Sequence, residues 1–325
     1  MNISKPNNQF MSYAVCTLFE KSLHYGVAAL TNSLYRQGFR GDVYAAYRGN
    51  LPAWANKATK NESLQWEGGK TMQLGEGAQL HFLPLDTDYH FANYKPKFMI
   101  RLFEGPAKDA EGLFYFDPDI VIKCKWSFFE YWITFGVAMV HELISQDMHA
   151  SHPIRLGWEQ LIKDNNRTVT ANIQSYLNSG FCGLTKNNIE FLKAWAEFIE
   201  VSFNGYGHER GRLKGLSRTT LYYCADQDAF NIAAMCCGCP VTEIGPDGMD
   251  FVHGGWVMSH ATSRPKPWIK NFLQSALIGN PPRLPEQNYW KNVTYPIPLY
   301  SKGRVRFKVT CLKIATFMGR FYRRY

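Results

Sequence analysis

The sequence lacks long apolar runs. It contains no stretch of the roughly 18 or more consecutive apolar residues that a membrane-spanning helix needs. The N-terminal stretch MNISKPNNQFMSYAVCTLFEK also lacks the basic region, apolar stretch and small-residue cleavage site of a secretory signal. We therefore expect neither a spanning helix nor secretion.

Cysteine pairs at metal-ligand spacing are missing as well. Most of the 8 cysteines stand singly in apolar surroundings, as in YAVCTL and SGFCGL. The cluster CCGC at 236–239 has no second pair of cysteine or histidine ligands, so zinc is not expected. Single thiols in apolar runs are typical of reduced, core-filling cysteines, and they predict a cytoplasmic protein.

Acidic residues are absent from the last 25 residues, which hold eight Lys or Arg, whereas the whole chain has a net charge of +9. The basic residues alternate with Phe307, Phe317, Phe321, Tyr322 and Tyr325. Such a segment favours peripheral contact with an anionic membrane surface; nucleic-acid binding and a solvated terminal face are the alternatives. Since the rest of the chain is almost neutral, no nucleic-acid partner is expected.

Strand-like and helix-like segments alternate along the chain, which is 46% hydrophobic. SYAVCTLF, GDVYAAYRG, AQLHFLPLD, GLFYFDPDIVI and SYLNSGFCGLT predict strands, and HYGVAALTNSLYRQGF, NYKPKFMIRLFEG, NNIEFLKAWAEFIEVSF and DQDAFNIAAM predict helices. Residues 126–170 read as helix-rich or irregular. The alternation predicts an α/β fold with a mostly parallel, doubly wound sheet. From about Pro265 the prolines become dense, which predicts an irregular arm before the basic tail.

Two aspartates interrupt the apolar run LFYFDPDIVI. Residues i and i+2 of a strand face the same side, so Asp117 and Asp119 are predicted to point together at a strand's carboxyl end. Open α/β sheets bind ligands at that edge. Two adjacent carboxylates repel each other unless a cation lies between them, and Mg²⁺ or Mn²⁺ suits such oxygen ligands. The alternative is a polar pair that merely ends a strand.

Three later stretches favour the metal site. YLNSGFCGL places Asn178 before a Ser-Gly turn, where its amide can both donate to and accept from a sugar hydroxyl. CADQDAFN sets Asp226 and Gln227 ahead of a helix, a position that also suits N-terminal capping. HATSRPKPW sets His260 six residues before Lys266. An imidazole beside carboxylates suits Mn²⁺, and an ammonium group suits a diphosphate.

In this order, the motifs resemble those of the family-eight retaining glycosyltransferases, which include glycogenin and bacterial lipooligosaccharide galactosyltransferases. CTLFEKSLHYGVAALTNSLYRQG is similar to their first strand and helix, and the resemblance extends over about residues 12–270. It implies a GT-A fold, which is Rossmann-like with a mostly parallel central sheet flanked by helices. Residues 1–270 are then the catalytic domain, and residues 271–325 are a proline-rich arm with a basic, aromatic tail.

The resemblance also implies a role for each motif. The donor would be a nucleotide sugar, usually UDP-linked, used with Mn²⁺ or Mg²⁺. Asp117, Asp119 and His260 would be the metal ligands. Thr17, Leu18 and Tyr25 would contact the base. The other nucleotide-sugar contacts would be Lys97 or Arg101, Asp117 and Lys266. The residues around the transferred sugar would be Asn178, Asp226 and Gln227, with Gln227 nearest the anomeric carbon.

The chain departs from the family pattern at three points. Pro118 stands between the aspartates, Ser263 replaces a glycine in the loop from His260 to Lys266, and no aspartate follows the first strand. These departures leave the donor sugar and its base open.

The absence of an evident nucleophile favours front-face substitution with retention, and a double displacement through Asp226 or Gln227 is the alternative. The acceptor is expected to be a glycan or glycolipid. Two other functions compete. A dehalogenase-type phosphatase also uses a DxD motif, but there the motif normally ends the first strand. The other is a non-catalytic protein that binds carbohydrate or lipid on the same fold.

Overall fold

The computed structural model describes residues 12–143, 148–215, 217 and 219–322. Strands and α-helices are interspersed along these residues, although the four strands between Asp42 and Pro84 follow one another with no α-helix between them. The strands are β1 Tyr13–Glu20, β2 Asp42–Arg48, β3 Thr59–Lys60, β4 Lys70–Gly75, β5 Ala78–Pro84, β6 Gly112–Phe116, β7 Ile120–Ile122, β8 Val137–His141, β9 Leu177–Thr185, β10 Val241–Ile244 and β11 Met258–His260. The helices are α1 His24–Arg36, α2 Phe91–Glu104, α3 Trp126–Trp132, α4 Pro153–Asp164, α5 Ile189–Gly205, α6 Ala225–Cys236, α7 Phe272–Leu277, α8 Leu284–Lys291 and α9 Lys302–Met318.

A sheet of nine strands forms the centre of the described chain, in the order β10-β8-β9-β6-β1-β2-β5-β4-β3. Only β9 and β4 run against the direction of the other strands. Both faces of the sheet are covered, because Cys16 and Leu18 of β1 pack into one hydrophobic core while Val15 and Phe19 pack into another. The nearly continuous apolar sequence of β1 suits a strand that is buried on both faces.

The run LFYFDPDIVI forms two strands where one was expected. β6 ends at Phe116, and β7 pairs antiparallel with β11 in a separate two-stranded sheet. Asp117 and Asp119 therefore lie in the turn between β6 and β7, which the Ile120 amide closes by donating to the Asp117 carbonyl at 3.0 Å. Pro118 lies against Gly26 of α1, where any Cβ atom would collide with the Pro118 carbonyl oxygen.

Residues 126–170, expected to be helix-rich or irregular, contain the strand β8 between α3 and α4. β8 pairs with β9 on one side and with β10 on the other. Its five residues, VAMVH, are almost wholly buried, so they form an apolar run too short to be distinguished from a helix by periodicity.

The proline-rich arm is more helical than expected, because α7, α8 and α9 all lie within residues 271–325. Trp268, Phe272, Tyr289 and Trp290 join the arm to α1 and β7 in a third hydrophobic cluster. Tyr325, which belongs to the basic tail, lies outside the described residues. None of the described helices is long and apolar enough to cross a membrane.

Candidate functional site

Asp117, Asp119 and His260 meet at the carboxyl end of β6. The pairing of β7 with β11 sets His260 opposite Ile120, and so next to Asp119. His260 Nε2 lies 3.2 Å from an Asp119 oxygen and 3.7 Å from an Asp117 oxygen. One potential ligand atom of each side chain lies within 4.8 Å of those of the other two. The structure thus brings together the three side chains that the sequence predicts as metal ligands.

Lys266 balances the negative charge of Asp119 in this group. Its Nζ donates to Asp119 Oδ2 at 2.5 Å and to the Ala261 carbonyl at 2.8 Å. Burial alone would raise the pKa of Asp119, but His260 and Lys266 outweigh it and hold that pKa below its ordinary value. Asp119 is therefore a carboxylate at neutral pH, as a metal ligand must be.

A second lysine, Lys95 of α2, links two predicted groups of site residues. Its Nζ lies 3.1 Å from Asp117 Oδ1 and 3.1 Å from Asp226 Oδ2, and it donates to the Ser179 carbonyl at 3.0 Å. Burial alone would lower the pKa of Lys95, but Asp117 and Asp226 raise it above its ordinary value. The ammonium group is charged and holds the two carboxylates on either side of it.

Lys97 and Arg101, the two cations predicted from the sequence for this place, lie elsewhere. Lys97 Nζ lies 2.5 Å from Glu200 and 2.7 Å from the Tyr89 hydroxyl, and the Arg101 guanidinium stacks on Trp66 at 3.6 Å. Successive helix residues are about 100° apart, so residues two apart project in nearly opposite directions. A sequence signal for Lys95 exists, since it shares the apolar stripe of α2 with the buried residues Met99 and Leu102.

Strand β9 supplies the wall beside Asp117. The Asp117 amide donates to the Gly180 carbonyl at 2.7 Å, and the Gly180 amide donates to Asn178 Oδ1 at 2.9 Å. A Cβ atom at Gly180 would lie 2.6 Å from His260 Cε1, 2.7 Å from Asn178 Oδ1 and 3.0 Å from Asp117 Oδ2. The missing side chain at this position leaves room for the three groups to converge.

Gln227 and Asn178 form a hydrogen-bonded group with Glu142, a residue that the sequence analysis missed. The Ser179 amide and Asn178 Nδ2 both donate to Gln227 Oε1 at 3.3 Å. This turns Gln227 Nε2 toward Glu142 Oε2, 3.2 Å away, and Asn178 Nδ2 donates to the same oxygen at 2.5 Å. Glu142 immediately follows β8, so the acid at the end of VAMVHE was a usable signal.

Asp226 lies deeper than Gln227, at the start of α6. It accepts from the Ser179 hydroxyl at 2.7 Å and pairs with Lys95, and its side chain is only 3% exposed. Burial alone would raise the pKa of Asp226, but Lys95 and Ser179 lower it below its ordinary value. Asp226 is therefore ionised and fully partnered.

The three predicted nucleobase contacts lie in two places. Thr17 and Leu18 are buried near the end of β1, directly after Cys16, which is paired with Tyr115 of β6. Tyr25 of α1 stacks on Tyr300 with ring centroids 5.7 Å apart. Thr17 and Leu18 thus belong to the strand beside the aspartates, whereas Tyr25 packs with the C-terminal arm.

The donor set fits a divalent metal ion. Two carboxylates and an imidazole are ligands that Mn²⁺ accepts, and carboxylates alone serve Mg²⁺. The buried His260 Nδ1 has no hydrogen-bond partner among the described residues, while Nε2 faces the two aspartates. The imidazole is thus presented to the cluster by one nitrogen, as a metal ligand would be.

No family model and no curated protein matches the chain. Solved structures do match it. The galactosyltransferase LgtC in complex with donor and acceptor sugar analogs has a TM-score of 0.51 and 12% identity, over 91% of this chain and 99% of that one. An active-site mutant of LgtC gives 0.52 and 14%, with the same coverage. The fold is the GT-A fold.

The fold implied by the sequence resemblance is thus confirmed. The bifunctional glycosyltransferase WbbM also matches, at a TM-score of 0.47 and 12% identity over 93% of this chain. This chain spans about half, 52%, of that protein.

Proposed function

We propose that this protein is a metal-dependent glycosyltransferase. It moves a hexose from a nucleotide-sugar donor, a UDP-linked one, to a glycan or glycolipid acceptor with retention of configuration. The observation that carries the proposal is the convergence of Asp117, Asp119 and His260 beside Lys266, at the carboxyl end of a parallel strand. The GT-A fold, shared with a galactosyltransferase bound to donor and acceptor analogs, supports it.

Asp117, Asp119 and His260 would hold Mn²⁺ or Mg²⁺. When bound, the ion supplies positive charge that stabilises the departing diphosphate. Lys266 is half-buried beside Asp119, so its ammonium group is placed to donate to a phosphate oxygen while the glycosidic bond breaks. Thr17 and Leu18 would lie by the base, and Tyr25, through its stack on Tyr300, would close the side next to the arm.

The arrangement favours front-face substitution. Lys95 and Ser179 both donate to Asp226 Oδ2, and the Cys224 thiol donates to Oδ1 at 3.3 Å, so neither oxygen is free to attack the anomeric carbon. Gln227, which would lie nearest that carbon, is an amide whose oxygen already accepts two hydrogen bonds. The acceptor hydroxyl would attack from the leaving-group side and pass its proton to the donor phosphate. Lys95 takes the place proposed from the sequence for Lys97 or Arg101, and it positions Asp117 and Asp226.

The test is turnover of UDP-hexoses with and without Mn²⁺, preceded by a thermal-shift screen of nucleotide sugars. We expect Mn²⁺-dependent donor hydrolysis that falls by about a hundredfold or more in Asp119→Ala. Asp109→Ala is the matched control, since Asp109 is exposed. Metal-independent turnover, or equal turnover by the two variants, would contradict the proposal.

The same assay separates the two competing functions. Binding of a nucleotide sugar without turnover of any donor would establish the non-catalytic alternative. Release of phosphate from a monoester would establish the phosphatase; in this fold, however, the aspartates follow the sixth strand and not the first.

The proposal includes peripheral contact of residues 301–325 with an anionic membrane at its inner, cytoplasmic face. α9 carries no acidic residue, and Phe307 and Phe317 are 66% and 56% exposed. Since Leu312 and Ala315 of α9 are buried, deletion of the helix would disturb the core. Arg306→Glu combined with Phe307→Ser is the milder test. Weaker binding to anionic vesicles with unchanged donor hydrolysis is expected, and equal vesicle binding would exclude the contact.

A further inference from the structure

Two adjoining cavities lie between His260 of the candidate metal site and the C-terminal helices. The first is a groove of about 890 Å³ that begins at His260 and runs between the loop 262–265 and the segment 278–285. The second is a pocket of about 360 Å³ between α8 and α9. Gln287 and Thr316 line both cavities, so the groove and the pocket adjoin at these two residues. Both volumes lie in the range of roughly 300–1,000 Å³ that is usual for ligand sites.

The pocket is apolar inside and cationic outside. Trp290, Val309 and Leu312 contribute apolar surface, while Lys313 and Arg320 contribute exposed charges. No acidic residue lines it in the part of the chain that the structure describes. An apolar wall with a positive rim suits a ligand that has an apolar body and a negative group.

The groove is more polar than the pocket, and its charged side chains that have no ion-pair partner are also cations. The lining residues Asp250 and Lys270 are already paired, with Lys123 at 2.6 Å and Glu286 at 2.5 Å respectively.

Arg264 and Arg283 are the other cations that line the groove. Both are exposed and make no ion pair within the described residues. The groove therefore favours a polar ligand group that can carry negative charge, and the pocket favours an apolar ligand group.

We propose that the two cavities bind an anionic amphiphile, in which a glycan is attached to an alkyl chain through a phosphate-like group. The alkyl chain occupies the pocket, the anionic group lies against Lys313 and Arg320, and the glycan follows the groove to His260. This amphiphile is the acceptor of the proposed transfer. That last statement rests on the proposed function, whereas the binding of the amphiphile does not.

The test is calorimetric titration with dodecyl phosphate below its micellar concentration, with dodecyl maltoside and inorganic phosphate as comparisons. We expect dodecyl phosphate to bind at least about tenfold more tightly than either comparison, since only it fills the pocket and meets the cations. Equal binding of dodecyl maltoside or of inorganic phosphate would overturn the proposal.

Two pairs of variants locate the binding. Thr316→Trp places a large ring where the cavities join, while Thr310→Trp makes the same change at an exposed position of α9 that lines neither cavity. We expect the first to weaken dodecyl phosphate binding by about tenfold or more and the second to leave it unchanged. Equal affinities of the two variants would exclude the pocket.

The second pair of variants reverses charges. One double variant combines Lys313→Glu and Arg320→Glu, and its control combines Lys302→Glu and Arg306→Glu. All four positions are exposed, but only the first two line the pocket. Loss of binding in the first double variant alone supports a specific site, and equal loss in both indicates diffuse attraction and overturns it.

Donor hydrolysis separates the two proposals. Thr310→Trp should hydrolyse the free donor at the wild-type rate, because Thr310 lines neither cavity. If no variant, including the wild type, turns over a donor while dodecyl phosphate binds as described, the proposed function fails and the amphiphile site stands. If donor hydrolysis is normal and dodecyl phosphate does not bind, the amphiphile site fails alone.

Discussion

Two lysines on α2, only two residues apart, lie in two very different ionic regions. Lys95 has a side chain that is 4% exposed, and it lies between Asp117 and Asp226. Lys97 is 35% exposed and pairs with Glu200 near the surface. The same residue type on the same helix therefore takes part in a buried charge group and in a solvated ion pair. The difference shows that burial, more than the presence of a partner, decides what a charged side chain contributes.

The buried region also has an unequal charge balance that the surface region lacks. Three carboxylates, those of Asp117, Asp119 and Asp226, face two ammonium groups, those of Lys95 and Lys266. A region with surplus negative charge in a low-dielectric setting favours a cation, whereas the Lys97–Glu200 pair is balanced and open to water. Substitutions that disturb only one of the two regions test this difference.

The largest effect is expected from Lys95→Met. Removing the ammonium group leaves Asp226 buried with no cation beside it, and breaking a buried pair costs about 3–5 kcal/mol. Donor turnover should fall together with stability, because Asp117 loses its positioning partner. Urea unfolding and donor hydrolysis measure the two effects. A variant with wild-type stability would show that Lys95 is not needed to balance the buried carboxylates.

Gly180→Ala should have the next largest effect. The added methyl group would lie 2.6 Å from His260 Cε1, so His260 or Asn178 must shift away from the aspartates. We expect Mn²⁺ affinity to fall by about 10–100-fold, as it does when the supporting groups of a metal site are disturbed. Titration with Mn²⁺ measures this. Gly303→Ala is the control, since a Cβ atom there meets nothing within 4 Å, and a loss of equal size in both variants would refute the explanation.

A moderate effect is expected from pH, through Asp226. Its pKa is lowered in the folded protein by Lys95 and Ser179, against the effect of burial. A lowered pKa adds stability that is present above the ordinary aspartate value of about 4 and is lost as the pH falls below it. The melting temperature of the wild type should therefore drop with acidification below about pH 4. Asp226→Asn should be less stable at neutral pH and show a smaller drop, and parallel curves would exclude Asp226 as the source.

The smallest effect is expected from Lys97→Met. The pair with Glu200 is partly exposed, and such pairs contribute about 0–1 kcal/mol. Donor hydrolysis should be unchanged, since Lys97 contacts Tyr89 and Glu200 and none of the three candidate metal ligands. The measurement is the same unfolding and turnover comparison as for Lys95→Met. Activity lost in Lys97→Met but retained in Lys95→Met would reverse the assignment of the two lysines.

The sequence was sufficient to predict the aspartates, His260 and Lys266 as one group. Each of these residues lies in a short motif with a local chemical meaning, and the order of the motifs matches a known family pattern. The alternation of strands and helices was also sufficient to predict the α/β sheet. These features depend on local spacing, which the sequence displays directly.

To predict that Lys95, and not Lys97, lies beside Asp117, one must know the orientation of α2. Pro96 lies inside α2 between the two lysines, and the buried face of the helix is set by its packing in the core rather than by a motif. Glu142 was missed because β8, which presents it, lies in a region that was read as helix-rich or irregular. The helix α8 was missed because the prolines of NPPRLP at its start suggested irregular structure, although proline in the first turn favours the start of a helix.

The pairing of β7 with β11 determines how late in the synthesis of the chain the site can form. Asp119 and Lys266 are 147 positions apart, so during synthesis the aspartates are made long before the residues that complete the site. Folding of a growing chain proceeds from the N-terminal side, and strands with distant partners must wait for them. A nascent chain that ends before β11 cannot assemble the three-residue ligand group. Tight manganese binding would therefore mark chains whose folding has reached the C-terminal part of the domain, and it would distinguish them from shorter fragments.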